Sequence, residues 1–176
     1  MPSGAQLSIF CAAALLMLAP ATMASSSKLS VAALAAEFRG LGYQAEDQDF
    51  QSIVAPDGDQ VVGLIDTIID GKPISVQLHK RPNCNGGEIC TVNFIAFFDD
   101  DRNLIAGDTL AAANSISAIS KVSAVAAPGQ KPRFIVSYNH VVREGDDAEF
   151  LKSVVPLFLR DVSGVLDLYK SGFHAG

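Results

Sequence analysis

Cys84, Cys90, His79 and His140 are the side chains in this chain best suited to chemistry. Four such ligands are what a tetrahedral zinc site requires. Their spacing is not that of a zinc finger, and the two cysteines have a competing use. A Cys-x5-Cys pair closes a short loop by a disulfide, and Asn83 before it and the enclosed Asn85, Gly86 and Gly87 are loop residues. Such a bridge is worth ~2 kcal/mol because the loop is short. It also lacks the Cys-x-x-Cys spacing of a thioredoxin-like redox centre. The expected pair is therefore a structural disulfide, Cys84–Cys90, and no metal site is expected.

The other constellations fall short of a site. Asp99-Asp100-Asp101-Arg102-Asn103 begins like a calcium loop, but Leu104 and Leu110 stand where an EF-hand needs Gly and Glu. A solvated turn with at most weak calcium affinity is the expectation. The serines from Ser115 to Ser123 sit on a predicted helix and its exit, with no Gly-x-Ser-x-Gly elbow. Glu46, Asp47 and Asp49 fall in a polar connection, and Gly86-Gly87 lacks the lysine of a phosphate-binding loop. No catalytic residue and no cofactor are expected.

The compartment follows from the amino terminus. Leu7 to Ala19 is an apolar run ending in small residues at Thr22 and Ala24, before Ser25-Ser26-Ser27. It is too short to span a bilayer and reads as a signal peptide over residues 1–24, although its start has no Lys or Arg. Export to the periplasm or the medium suits a disulfide. All 13 basic and 19 acidic residues lie beyond Ala24, so the mature chain keeps the net charge of −6. That balance, with no basic patch, argues against nucleic-acid binding, and no later segment is apolar enough for stable membrane insertion.

The elements that would carry these residues form one domain over residues 29–170, between a polar leader at 25–28 and a flexible tail at 171–176. Ser30 caps a first helix through Gly40, with Leu34, Ala35 and Phe38 on one face. Alternation from Phe50 to Val54 gives a short strand. Gln60 to Ile69 and Lys72 to Lys80 are strands joined by Asp70-Gly71, a tight-hairpin signal. Ile89 to Phe98 is a further strand. A helix over Leu110 to Ser120, strands at Lys121–Ala127 and Arg133–Val142, and a long helix Ala148–Lys170 follow, the last to be kinked or split at Pro156. The order α-β-β-β-β-α-β-β-α is α+β: a single antiparallel sheet with helices on one face.

Several of these residues resemble a family. Leu41-Gly42-Tyr43 after the first helix, Asp70-Gly71-Lys72-Pro73-Ile74-Ser75-Val76, the Cys84…Cys90 loop leading into Thr91-Val92-Asn93-Phe94-Ile95-Ala96-Phe97-Phe98, and a helix bearing Asn114 are similar to the YbjN-type domain, a bacterial sensory-transduction-regulator family. The resemblance runs from about Leu29 to Tyr169. It implies the fold of type III secretion chaperones, which bind peptide segments of clients and are often dimeric. The family often carries Asn-x-Trp-Asn in the middle helix; here Asn114-Ser115-Ile116-Ser117 keeps only the first Asn, and the chain has no Trp.

The expected function is that of an exported, non-enzymatic module that binds a protein, a peptide or a second copy of itself. Apolar residues on both faces of the central strands place its partner surface around Val76, Leu78, Ile95 and Phe97. An unrecognised hydrolase and a purely structural envelope protein are the competing readings.

Overall fold

The computed structural model describes residues 29–48, 51–82, 89–105, 107–126, 128–129, 131–143 and 145–173. The expected signal peptide, Cys84 and the end of the tail lie outside them. Helix α1 spans Val31–Gly40, followed by strands β1 (Gln44–Asp47), β2 (Ile53–Val54), β3 (Gln60–Ile69), β4 (Lys72–Lys80) and β5 (Thr91–Asp99). Helix α2 (Gly107–Ile116), strands β6 (Lys121–Val125) and β7 (Arg133–Val141), a 3-10 turn at Ala148–Phe150 and helix α3 (Leu151–Lys170) complete the chain. The order contains one strand more than expected, β1.

The strands make one antiparallel sheet in the order β1-β3-β4-β5-β7-β6, with β2 pairing β3 beside β1. The β3–β4 turn is the expected hairpin. Asp70 and Gly71 both have positive φ, 49° and 73°, the pairing that a two-residue turn needs to follow the strand twist.

The helices cover one face. Their core centres on Phe94 of β5, whose ring lies 6.4 Å from Phe38 of α1 and 5.8 Å from Phe158 of α3. On α1, Ser30 is the N-cap, its hydroxyl accepting from the Ala33 N–H at 3.1 Å. At Gly63 the helix comes so close that a Cβ would sit 2.2 Å from Val31 Cγ2, so this buried position has room only for hydrogen. Asp147 caps the 3-10 turn through the Glu149 N–H.

Three expectations change. Pro156 neither splits nor ends α3; it is exposed, and the helix runs on to Lys170. α2 begins and ends earlier than the apolar pattern implied, because the N–H groups of Ala118, Ile119 and Ser120 bond to a carboxylate instead of continuing the helix. The tail is docked as far as Phe173, whose N–H donates to the Leu168 carbonyl and whose ring stacks on Phe134 at 5.8 Å. Among the described residues no helix is long and apolar enough to cross a membrane.

Candidate functional site

Cross-strand register decides which side chains share a face, because directly opposed residues point the same way. Val76 pairs with Phe94 and Leu78 with Val92, all four buried under the helices at 0% exposure. Ile95 pairs with Ser75 and Ser137, on the opposite face. The expected partner surface thus divides: Val76 and Leu78 belong to the core, while Ile95 and Phe97 stand on the face that no helix among the described residues covers, Phe97 exposed and Ile95 buried at 8% exposure. The physical reason is the period of two. Within one strand it sorts residues into two sets, but it does not say which set of the next strand joins them.

The uncovered face is apolar in its middle. Ile68 is 51% exposed and Phe97 42%, and with Pro73, Gln44, Glu46 and Asp66 they line a groove of about 570 Å³ over β1, β3 and β4. Glu46 and Asp66 oppose each other across β1 and β3. Neither has an ion-pair partner among the described residues, and like charges in that position repel.

The sheet edges are less available than the face. In an antiparallel ladder, alternate residues of an edge strand turn their N–H and C=O outward. On β6 this happens at Val122, and the Asn114 side chain meets both groups: Oδ1 accepts from the Val122 N–H and Nδ2 donates to the Val122 carbonyl, each at 2.8 Å. Asn114 Nδ2 also donates to the Leu110 carbonyl of its own helix at 2.8 Å. The amide acts as one rung of an additional strand and covers an edge that would otherwise invite pairing. At the far edge, the Arg39 guanidinium donates to the Ala45 carbonyl of β1 at 2.9 Å.

The residues weighed for metal chemistry are dispersed. His79 lies on the uncovered face with Nδ1 3.3 Å from Asp59. His140 lies on the helix face, stacked on Phe150 at 4.0 Å, with Nε2 3.4 Å from Asp146. The sheet stands between them. Cys90 joins the ends of two strands, its N–H donating to the His79 carbonyl and its carbonyl accepting from the Val142 N–H; the expected bridge to Cys84 lies outside the described residues. The three aspartates of the Asp99–Asp101 turn face three different partners. Asp99 pairs with Arg133 at 2.7 Å, Asp101 with Lys131 at 2.6 Å, and Asp100 accepts from the Ile105 N–H at 2.8 Å and the Tyr169 hydroxyl at 3.2 Å. No group of three or more potential metal ligands converges among the described residues.

One carboxylate escaped the sequence reading. Asp161 of α3 is 2% exposed and accepts from the N–H groups of Ala118, Ile119 and Ser120, each at 2.9 Å. Burial raises its pKa, but the backbone donors outweigh that cost and hold the carboxyl below the usual aspartate range. Asp100 behaves alike: its burial is outweighed by backbone donors and the Tyr169 hydroxyl. A signal existed for Asp161, since Val154, Phe158, Asp161 and Val165 form one helical stripe with a single acid in it.

This architecture has a counterpart among solved structures. The crystal structure of YbjN from E. coli, described as "a putative transcription regulator", superposes with a TM-score of 0.53 at 19% sequence identity, covering 81% of this chain and 92% of that one. The fold is of the YbjN type. No family model matches the chain, and no curated protein does. The resemblance first carried by the Asp70–Val76 hairpin and the Thr91–Phe98 strand is therefore matched at the level of architecture. Within this YbjN-like fold, Asn114 holds the β6 edge and the groove beside Phe97 lies on the bare side of the sheet.

Proposed function

We propose that this chain is an exported, non-enzymatic YbjN-like module that recognises protein through the uncovered face of its sheet. The observation that carries the reading is the exposure of Ile68 and Phe97 beside a groove on a face without helices among the described residues. Side chains hold both edges, which favours contact with the face over addition of a strand. Removal of residues 1–24, release to the periplasm or the medium, and a Cys84–Cys90 bridge are parts of the same reading. The description of E. coli YbjN as a putative transcription regulator suggests a regulatory role. With a net charge of −6, regulation here acts through protein contact and not through DNA.

A photo-crosslinking residue at Ser75, between Asp66 and Ile95 on the uncovered face, tests this in cells. The expected result is a discrete covalent product that disappears when Phe97→Arg and Ile68→Arg are added. A product from Lys152 on α3 and none from Ser75 would refute it.

A further inference from the structure

The uncovered face carries an ordered charge pattern. One row runs straight across it, one residue from each strand: Glu46, Asp66, Ser75, Ile95, Ser137 and Lys121. Two acids stand at the β1–β3 end and one lysine at the β6 end, with no ion pair for Lys121 among the described residues. The adjacent row is apolar through its middle. Ile68 pairs with Pro73, Phe97 with Ile135, and polar Gln44 and Ser123 close the ends.

We propose that a second copy of this chain packs on this face, sheet against sheet, about a two-fold axis parallel to the strands and passing between β4 and β5. This rests on the reading of the face as a recognition surface. Such an axis lays β6 of one copy over β1 of the other, β7 over β3, and β5 over β4. Each row then falls on itself reversed. Lys121 meets Glu46 and Asp66 of the second copy, Ile135 meets Ile68, and Phe97 meets Pro73. The groove on one half of each face receives Ile135 and Lys121 from the other copy, and the contact is isologous. Six strands at ~4.8 Å spacing and four side-chain rows at ~6.8 Å span at most ~780 Å² per copy, and a total of up to ~1,560 Å² falls within the range of specific interfaces. The mutual repulsion of two chains of charge −6 is screened beyond ~8 Å at physiological salt, so the local pairing decides.

The test is sedimentation velocity on the exported protein and two charge-reversed variants, Lys121→Glu and the double variant Glu46→Lys/Asp66→Lys. All three positions are exposed, and thermal melts monitored by circular dichroism check that each variant folds. The wild type is expected to sediment as a dimer. Each variant alone faces like charge at both ends of the contact and is expected to dissociate at least ten-fold more readily. An equimolar mixture of the two restores opposite charges at both ends and is expected to return to dimer. A monomeric wild type, variants as dimeric as the wild type, or a mixture that stays monomeric would overturn the proposal. A monomeric wild type that still gives a Ser75 crosslink to a different protein would leave the recognition surface standing and remove only the second copy as its occupant.

Discussion

Replacing Asp161 by Asn tests the connection between α3 and the α2–β6 turn. The carboxylate accepts three N–H groups, one on Oδ1 from Ala118 and two on Oδ2 from Ile119 and Ser120. Asparagine is nearly the same shape but has one acceptor oxygen and a donor NH2. Its best orientation keeps the oxygen on Ile119 and Ser120 and points the NH2 at the Ala118 N–H. One donor is then orphaned at ~1–3 kcal/mol, and two bonds to a charge become neutral ones at a loss of ~0.5–1.5 kcal/mol each. The expected loss is about 3–4 kcal/mol at pH 7, or a melting temperature lower by about 10 °C at ~2–4 °C per kcal/mol for a chain of this size. Urea unfolding measured from pH 7 downward adds a second readout. The folded-state pKa of Asp161 lies below its unfolded value, so its stabilisation is fully present above the ordinary aspartate value of ~3.9. That stabilisation is lost as pH falls through the lowered folded value. The gap between wild type and Asp161→Asn should therefore shrink as pH drops below ~4. Asp100 titrates in the same direction but is present in both proteins and cancels. A gap under ~1 kcal/mol at pH 7, where even one orphaned donor should exceed it, or a gap independent of pH, would refute this account of the carboxylate.

Gly63→Ala should cost ~1–3 kcal/mol, because its methyl would meet Val31 Cγ2; Val31→Ala added to it should recover part of that loss in chemical denaturation. Asn114→Ala should cost ~1–3 kcal/mol by orphaning both Val122 groups, and should raise aggregation in light scattering by opening the β6 edge. Arg102→Ala removes the guanidinium that donates to the Tyr169 and Lys170 carbonyls at 2.7 and 2.8 Å; hydrogen exchange should quicken in the last turn of α3, with a global loss of only ~1 kcal/mol.

Where local chemistry and periodicity suffice, the fold was legible. Ser30 and Asp70-Gly71 mark a cap and a hairpin through interactions within a few residues, and the structure has both. β1 was missed because Gln-Ala-Glu-Asp has one buried residue, Ala45, and no alternating apolar pattern; its pairing with β3 supplies what propensity does not. The candidate surface was half legible for the same kind of reason. Apolar residues on both faces of β5 were evident, but grouping Val76 and Leu78 with Ile95 and Phe97 needed the β4–β5 register, a non-local quantity. Asn114 was noticed through the family pattern. Its role became visible only where β6 presents Val122 to it, eight residues along the chain.

The strand order has a consequence for how the protein is made. β7 lies between β5 and β6, although β6 leaves the ribosome first. Until residues 133–141 arrive, β6 has no neighbour in the sheet and β5 lacks one side. The turn after α2 waits longer still, for Asp161 on the last helix. The sheet therefore cannot be finished in the order of its synthesis. Its slowest folding step should be the insertion of β7, a closure between distant parts of the chain that truncation before residue 141 would abolish.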